Sequence, residues 1–473
     1  MKHYDIIAIG SGTVARLVKF LLEKNPDLRI AVIDKDEIGG ICLTRACVPS
    51  KLLLYPADFA RDIRKGENLG VSVSLHEVNF GKILTRMRKI RDESIIAKAK
   101  FLKEHPQIDY YSGIAEFVEP YVLKIGEKTI RGEKIFLTLG SEPAIPSIKG
   151  INSITYETNK TILNINQLPK SIAFIGGGYI AAEYGHFFAT MGADVTIFGR
   201  NPQFLPDEEP EIAAVVLKEM QQYMTIYTNH EVTEVKPTSN NQKKVIVTNR
   251  LTKETHSYTF EMVIVAAGRV SNSHLLKPEK SGVQVTKKGW IKTNEYLETS
   301  QPNIWSFGDA NGKYLLKHTA YYEGEIIQYN LSHEDKREVS YDIIPHAVFS
   351  YPKIGAVGMK EKEAIKKIGK ENLLIGYSLY RKTVKGKALG LENSDYFMKL
   401  LVNKTTKKIL GAHIVGPNAD ILIHEVILAM NTNNGTLQPL VDSIYIHPTL
   451  PELIEFAAEN LLTVDKYHEK IGK

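Results

Sequence analysis

The feature that most constrains the fold of this 473-residue chain is a glycine-rich turn that joins a short apolar run to a helical stretch. The first copy reads G-x-G-x-x-A, with Gly10, Gly12 and Ala15 after the apolar residues 4–9. Glycines let backbone amides approach a pyrophosphate, the helix N-terminus stabilises its charge, and a small third residue permits close packing. A second apolar run ends at Asp34, whose carboxylate can accept hydrogen bonds from ribose hydroxyls. The pattern predicts a β-α-β dinucleotide-binding unit.

The same unit occurs a second time. An apolar run at residues 171–175 leads into Gly176, Gly178 and Ala181, then a helix and another strand. A single glycine motif is often only a strand-to-helix turn, but two complete copies with the same spacing favour nucleotide binding. The second strand ends without an acid and offers Arg200, which can meet a 2′-phosphate and favours NADPH over NADH; a solvated arginine is the alternative. Two dinucleotides in one chain indicate an electron relay.

Cys42 and Cys47 are the only two cysteines in the chain. Five residues of chain can fold back to bring two Cα atoms within the roughly 4.4–6.8 Å that a disulfide requires. Pro49 suits the first turn of a helix, so Cys47 is predicted to lie beside a helix N-terminus, where the dipole favours a thiolate. Two buried, inert thiols are the alternative. The flanking glycines and the Pro-Ser-Lys continuation favour a redox-active pair.

Length and charge exclude several other classes of protein. A chain of this length exceeds one core, so two or three domains are expected. The net charge is +6, but the 60 basic residues are dispersed among 54 acidic ones, which argues against a nucleic-acid partner. No run approaches the ~20 apolar residues of a membrane span, and the N-terminus has no signal-peptide anatomy. A cytoplasmic protein with no membrane partner is therefore expected.

A series of motifs resembles those of the class I pyridine nucleotide-disulfide oxidoreductases over nearly the whole chain. The motifs are the two glycine turns and the segments 39–51, 138–143, 267–269, 304–309, 410–416 and 447–452. The resemblance implies an α/β fold with two Rossmann-like three-layer nucleotide-binding domains and an α+β C-terminal dimerisation domain. It divides the chain into an FAD-binding domain at 1–148 and 272–345, an NAD(P)-binding domain at 149–271, and an interface domain at 346–473.

The resemblance also implies which residues bind the cofactors. Those expected at FAD are Gly10, Gly12, Ala15, Asp34, Gly40, Lys51, Gly140, Gly308 and Asp309. Those expected at NAD(P)H are Gly176, Gly178, Tyr179, Ala181, Arg200 and Gly268. Asp309 is expected near the flavin ribityl chain. Tyr179 is expected to cover the flavin until the nicotinamide arrives, although packing alone would also explain a tyrosine there. No metal site is predicted.

Four residues receive redox roles from the resemblance. Cys47 is expected to face the flavin, and Cys42 is expected to exchange with a dithiol or disulfide substrate through a mixed disulfide. Lys51 lies one helical turn beyond Cys47, which would bring its ammonium near the flavin, where negative charge develops on reduction. Glu183 matches the acidic partner of that lysine. A surface lysine and an unrelated helical glutamate are the alternatives for this pair.

His447 is the predicted base for thiol-disulfide exchange, because imidazole titrates in the required range. Glu452, in the first turn of the helix that follows, can reach back to fix the histidine tautomer. The resemblance implies that this histidine reaches the disulfide of a second subunit. The homodimer would then be obligatory for activity.

Two further expectations concern local structure. Ala46 stands where the family usually has glycine, and its methyl group is tolerated only if φ is negative. The preceding Arg45 can lower the thiol pKa or contact an anionic substrate. Residues 78–104 carry apolar side chains at helical spacing among many Lys and Arg, which we interpret as a solvated helical hairpin.

The substrate is less constrained than the family. Mercuric reductases and high-molecular-weight thioredoxin reductases need extra cysteines or selenocysteine near the C-terminus, which this chain lacks. The Pro-Ser-Lys and Thr-Leu-Pro-Glu segments look like a dihydrolipoyl dehydrogenase, the leading interpretation, which implies docking to an acyltransferase complex as a partner. Segments 54–58, 198–200 and 316–320 look more like mycothione reductases, so an NADPH-dependent reductase of a small disulfide such as mycothione or glutathione is the alternative. A flavin redox sensor without turnover is a second alternative function.

Overall fold

The computed structural model describes residues 1–472, so Lys473, at the end of the predicted interface domain, lies outside the described residues. The chain begins with a mixed segment of helices and strands. Its elements are β1 (Lys2–Ile9), α1 (Val14–Lys24), β2 (Ile30–Asp34), α2 (Gly40–Thr44), α3 (Cys47–Arg64), α4 (Phe80–Glu104), β3 (Ile108–Ser112), β4 (Ala115–Glu119), β5 (Val122–Ile125), β6 (Lys128–Leu137) and β7 (Ser141–Pro143).

A second α/β segment follows, and the chain then returns briefly to the first. The second segment contains β8 (Ser171–Ile175), α5 (Tyr179–Met191), β9 (Asp194–Phe198), α6 (Pro210–Met220), β10 (Thr225–Tyr227), β11 (His230–Pro237), β12 (Lys243–Asn249), β13 (Thr255–Phe260), β14 (Met262–Val265) and β15 (Arg269–Ser271). The return consists of β16 (Ile304–Ser306) and α7 (Lys317–Ser332).

The C-terminal segment alternates strands and helices. It contains β17 (Pro345–Val348), β18 (Ile354–Gly358), α8 (Glu361–Ile368), β19 (Leu373–Leu379), α9 (Val384–Ala388), β20 (Phe397–Asn403), β21 (Ile409–Val415), α10 (Ala419–Asn431), α11 (Gln438–Asp442), α12 (Glu452–Glu459), β22 (Leu461–Thr463) and α13 (Val464–Lys470). Its sheet is antiparallel, in the order β17-β18-β21-β20-β19-β22. Helices α10 and α12 contribute to the core beneath it.

The first segment and the return build one seven-stranded sheet. Its order is β3-β2-β1-β6-β5-β4, with β16 parallel to β6. Central strand β1 is parallel to both neighbours, and Ile9 pairs with Ile33. Ile6 and Ala8 enter the core on one face of the sheet, whereas Ile7 and Ile9 enter the core on the other. Burial on both faces explains why this strand is an almost continuous apolar run.

The second segment repeats the arrangement with a smaller sheet. Its parallel strands have the order β10-β9-β8-β14, and β11, β12 and β13 form a separate antiparallel sheet. The carboxyl ends of β8 and β9, at Ile175 and Phe198, meet at one edge beside the second glycine turn. The predicted class is confirmed: two nucleotide-binding α/β units with an α+β C-terminal unit. Within residues 1–472, no helix combines the length and apolarity needed to cross a bilayer.

The predicted hairpin at 78–104 is wrong, because these residues form the single 25-residue helix α4. Its first turn is capped by Asn79, whose side chain accepts a hydrogen bond from the Lys82 amide at 2.9 Å. After Gly81 the helix contains neither Pro nor Gly, so nothing in the local sequence interrupts it. Phe80 packs against Phe187 and Phe188 of α5, with ring centroids 5.9 and 6.2 Å apart. The helix therefore connects the two nucleotide-binding units.

Candidate active site

A connected cleft of about 2020 Å³ runs from the first glycine turn, past both cysteines, to the second glycine turn. Most of the predicted site residues line it: Gly10, Gly12, Asp34, Gly40, Cys42, Cys47, Lys51, Gly140, Gly176, Gly178, Tyr179, Glu183, Arg200, Gly268, Gly308 and Asp309. Four do not. Ala15 and Ala181 are buried in α1 and α5, and His447 and Glu452 lie in the C-terminal unit.

The first glycine turn is shaped for a pyrophosphate. A Cβ on Gly40 would lie 2.5 Å from the Gly12 Cα. Only glycine at position 40 therefore lets the start of α2 approach the first glycine turn this closely. Asp34 accepts hydrogen bonds from the Ser11 amide at 2.7 Å and from its hydroxyl at 2.6 Å. No side chain caps the N-terminus of α1, which leaves its free amides and dipole for an anion. These residues fit a dinucleotide such as FAD.

A buried carboxylate that the sequence did not reveal supports the far end of this cleft. Glu323 of α7 is fully buried and accepts hydrogen bonds from the Gly308 amide at 2.6 Å and the Asn311 amide group at 2.9 Å. Tyr341 donates a third, at 2.7 Å. Burial raises the pKa of Glu323. Because Glu323 holds the turn that presents Asp309 to the cleft, it positions Asp309 at the predicted ribityl site.

The second glycine turn has the same construction. Gly176 has a φ of +121°, and a Cβ there would lie 2.3 Å from the Ala266 carbonyl oxygen. The N-terminus of α5 also lacks a side-chain cap, and Tyr179 is its first residue. Arg200 is exposed just beyond β9, with its backbone carbonyl accepting a hydrogen bond from Arg250 at 3.0 Å. The guanidinium of Arg200 is thus available at the edge where β8 and β9 end.

Between the two glycine turns lies an asymmetric dithiol. Cys42 is in α2 and Cys47 is the first residue of α3, as predicted, and both are free thiols. The hydrogen bond from the Cys42 thiol lowers the pKa of Cys47 to about 7 against the opposing effect of burial, and the charges of Lys51 and Lys317 add to the lowering. The same hydrogen bond, together with burial, raises the pKa of Cys42. Cys47 is therefore the first of the pair to ionise.

Lys51, which is partly exposed, forms an ion pair with the buried Glu183 beside the thiols. The Lys51 ammonium lies 2.9 and 2.8 Å from the two carboxylate oxygens, and the Glu183 side chain is only 6% exposed. Glu183 also accepts a hydrogen bond from the Phe349 amide at 3.1 Å, and the Lys51 ammonium lies 4.3 Å from the Phe349 ring centre. The pair joins α3, α5 and the C-terminal unit, so the position of Lys51 depends on all three.

Arg45, which lies between the cysteines, forms ion pairs with carboxylates, a role different from the two expected of it, lowering the thiol pKa or contacting an anionic substrate. The Arg45 guanidinium lies 2.6 Å from Asp36 and 3.8 Å from Glu142, in a cluster that also includes Lys35 and Lys160. This cluster ties the segment between Cys42 and Cys47 to the end of β2 and to β7, and it pairs the Arg45 guanidinium with two carboxylates. Ala46 has a φ of −135°, which confirms that its methyl group is tolerated.

His447 and Glu452 meet each other but not the cysteines of the same chain. His447 Nδ1 lies 2.6 Å from Glu452 Oε1, and the other carboxylate oxygen accepts a hydrogen bond from the Thr449 amide at 2.8 Å. Although burial opposes it, the hydrogen bond with His447 lowers the pKa of Glu452. The imidazole is 66% exposed, so its Nε2 is free to reach another molecule.

The pH dependence of alkylation tests the thiol asymmetry. In the reduced protein, we expect the alkylation rate of the pair by iodoacetamide to rise with a midpoint near pH 7, because the pKa of Cys47 is lowered to about 7. The Lys51→Met variant removes a neighbouring cation, so its midpoint should move upward, whereas Lys103→Met, on the exposed end of α4, should not change it. Mass spectrometry identifies the modified cysteine. A wild-type midpoint at the pKa of an ordinary thiol would contradict the assignment.

Comparisons with known proteins agree with this architecture. The family model described as pyridine nucleotide-disulphide oxidoreductase matches residues 4–324, and the dimerisation-domain model of the same family matches residues 344–458. A dihydrolipoyl dehydrogenase of Chlamydia trachomatis is 30% identical, over 98% of this chain and 97% of the relative. A mycothione reductase of Mycobacterium tuberculosis is 29% identical, over 97% and 99%.

A solved structure shares the fold over nearly its full length. The HOCl-induced flavoprotein disulfide reductase RclA from Escherichia coli superposes with a TM-score of 0.82 at 25% identity, covering 95% of this chain and 98% of that one. The two family models together account for almost all of the chain, and the dithiol lies in the cleft between the two glycine turns. The chain therefore belongs to the class I pyridine nucleotide-disulphide oxidoreductases, a family of flavoprotein disulfide reductases that use FAD and NAD(P)H.

Proposed function

We propose that this enzyme relays electrons between NAD(P)(H) and a dithiol or disulfide substrate through the Cys42–Cys47 pair, as a dihydrolipoyl dehydrogenase-type enzyme. The observation that carries the proposal is the asymmetric dithiol between two dinucleotide clefts, with the pKa of Cys47 lowered to about 7. FAD, when bound, would supply two-electron transfer between the nicotinamide and the cysteines. The protein supplies alignment, charge and proton transfer.

Thiol exchange at Cys42 completes the cycle. In the dihydrolipoyl direction, a substrate thiolate attacks Cys42 of the oxidised pair, the Cys42–Cys47 bond breaks, and Cys47 leaves as a thiolate. The second substrate thiol then loses its proton to His447 and attacks the substrate sulfur of the mixed disulfide, whose bond to Cys42 breaks. The substrate leaves as a disulfide, and Cys42 takes the proton back from His447 and becomes a thiol. Two electrons have moved from the substrate to the cysteine pair. The low pKa of Cys47 makes it the better leaving group of the two.

We propose a homodimer in which His447 of one copy serves the dithiol of the other. The exposed imidazole supports this arrangement, since it lies outside the cleft of its own chain. Ile444 and Ile446, on the same loop, are 99% and 77% exposed, an apolar surface that a second copy would cover. We also propose a cytoplasmic location, because a reducing compartment suits a pair of cysteines that are reduced during turnover.

We propose NADPH as the preferred nucleotide, on the basis of the exposed Arg200 beyond β9. The Arg200→Ala variant should raise KM for NADPH roughly 10- to 100-fold, the worth of one charge-assisted contact with a phosphate. KM for NADH should stay within about twofold, because NADH lacks the 2′-phosphate. Steady-state kinetics with both nucleotides provide the test. An equal loss with NADH would indicate that Arg200 only maintains the fold.

A neutral lipoyl substrate is our leading choice because the arginine between the cysteines is engaged by Asp36 and Glu142. Such an enzyme would be expected to dock on an acyltransferase complex. An NADPH-dependent reductase of a small charged disulfide, of the mycothione or glutathione type, is the second candidate, and it is favoured by the charge of Lys317 acting on both thiols. We disfavour a redox sensor without turnover because the chain carries Cys42, Cys47, Lys51 and His447 together, a set that suits turnover.

Anaerobic mixing of the oxidised holoenzyme with dihydrolipoamide distinguishes these candidates. Bleaching of the flavin, followed by steady turnover with NAD⁺ or NADP⁺, is expected for the dihydrolipoyl type. Turnover of mycothione or glutathione disulfide with NADPH, and no spectral change with any lipoyl compound, would overturn that choice in favour of the second candidate. Flavin reduction by nucleotide without turnover of any disulfide would indicate the sensor.

A further inference from the structure

Helix α4 carries one lysine that points inward. The Lys98 ammonium donates hydrogen bonds to the Gly12 carbonyl at 2.6 Å and to the Gly39 carbonyl at 3.5 Å, and it lines the main cleft. The Gly12 carbonyl belongs to the turn after β1, and the Gly39 carbonyl belongs to the turn that leads into α2. Lys98 therefore links the first glycine turn, at Gly12, to the turn at Gly39, although it belongs to neither.

The charge of Lys98 has no partner in the protein. Among residues 1–472, no carboxylate forms an ion pair with its ammonium, whose contacts are the two neutral carbonyls. An ammonium has three donors, so one remains for a ligand. Burial, helped by the repulsion of Lys317, lowers the pKa of Lys98 to about 8. Partly buried cations are normally paired with an anion, and an unpaired one indicates a missing anionic ligand.

We propose that Lys98 binds the diphosphate of FAD and supplies the positive charge that the first glycine turn itself lacks. The inference rests on the proposed function only in taking FAD as the dinucleotide of the first cleft. The ammonium lies on the carbonyl of Gly12, next to the uncapped N-terminus of α1 where a pyrophosphate fits. Arg16, the basic residue in the first turn of α1, is already paired with Glu325 at 2.8 Å.

The acidic groups near Lys98 do not pair with its ammonium. The Asp34 carboxylate accepts hydrogen bonds from Ser11 and from the Asp36 amide. The pKa of Cys42 is raised, so this thiol stays protonated at neutral pH. Lys317, on α7, adds a second positive charge near the same cleft. A diphosphate would relieve the repulsion between the two lysines while it neutralises both.

The test is the affinity of the full-length enzyme for FAD, measured by diluting the holoenzyme into graded FAD concentrations and reading the fluorescence of free flavin. The Lys98→Met variant, which keeps the length of the side chain, should bind FAD roughly 10- to 100-fold more weakly. The Lys98→Arg variant should restore binding to within a few fold. Lys100→Met, an exposed neighbour on the same helix, should match the wild type.

The pH dependence of FAD binding separates charge from packing. Because FAD favours the protonated amine and the pKa of free Lys98 is about 8, wild-type affinity should be constant below pH 8 and fall above it. The Lys98→Arg variant should keep its affinity to a higher pH, since arginine stays protonated. The other groups that face Lys98 are Asp34 of β2, Cys42 of α2 and Lys317 of α7, and all three are present in both proteins.

The outcomes are distinct. Full FAD affinity in Lys98→Met would overturn the proposal. If Lys98→Met raises KM for a disulfide substrate but leaves the affinity for FAD unchanged, the proposal is also overturned. Lys98 would then be assigned to binding an anionic substrate. If Lys98→Met does not fold, a wild-type affinity that does not change between pH 7 and pH 9.5 overturns it instead. Failure of the wild-type protein to bind FAD would contradict the proposed function itself.

Discussion

Replacing Cys47 by serine should reduce disulfide turnover by roughly 10³-fold or more, the loss seen when the reacting atom of a catalytic unit is removed. The hydroxyl of serine cannot form the Cys42–Cys47 disulfide, so electrons from NAD(P)H have no route to the substrate. Reduction of the flavin by NAD(P)H should persist, because the second glycine turn is untouched. Stopped-flow absorbance with nucleotide alone, compared with steady-state turnover, measures the two steps separately.

The matched control is Cys42→Ser. This variant should lose turnover to the same extent but retain the Cys47 thiolate, whose pKa is lowered by Lys51 and Lys317 as well as by Cys42. A long-wavelength charge-transfer band between thiolate and flavin should therefore persist in Cys42→Ser and be absent from Cys47→Ser. The reverse pattern would mean that the two cysteines exchange roles. Full disulfide-reductase activity in Cys47→Ser would refute the mechanism.

The second large effect is expected at His447. The His447→Gln variant should lose roughly 10²- to 10⁴-fold in turnover, the usual contribution of a general acid or base. Glu452→Gln should lose less, because Glu452 contacts His447 Nδ1 and the Thr449 amide and acts by positioning the ring. The pH profile of turnover should change shape in His447→Gln, because the proposed proton acceptor is gone. His256→Gln, at an exposed position on β13, is the control.

Mixed dimers test whether His447 acts across the subunit boundary. Co-expressed Cys47→Ser and His447→Gln chains, purified through two different tags, should regain turnover. In such a dimer the intact cysteine pair of one chain meets the intact histidine of the other, so one of the two sites is complete. Neither parent homodimer contains a complete site. Mixed dimers as inactive as the parents would show that His447 serves its own chain or is structural.

Much of the site follows from local patterns. Gly10, Gly12, Gly176 and Gly178 mark the strand-to-helix turns because backbone approach to a phosphate leaves no room for side chains. Pro49 predicted that α3 begins at Cys47, since proline is favoured in the first helical turn. These predictions succeed because each depends on residues close together in the chain.

Other features depend on contacts between distant segments. The prediction of a solvated hairpin at 78–104 was wrong. The spacing of apolar residues does not show whether a basic helix is packed against other segments, and α4 packs against both nucleotide-binding units. Arg45 pairs with Asp36 and Glu142 rather than with thiol or substrate, which depends on where β7 lies. Glu323 is invisible as a site residue until α7 folds beneath the Gly308 turn.

The sequence by itself determined the two dinucleotide-binding units, the position of Cys47 at the start of α3 and the neighbouring Lys51, because glycine turns, a proline at the first helical turn and residue spacing act through local backbone geometry. Only the tertiary structure decided which charges surround them. The bond from Lys98 to Gly12 spans 86 residues of sequence, and the Lys51–Glu183 pair spans 132. Electrostatic contacts of this kind depend on distance in space, and no local pattern encodes that distance.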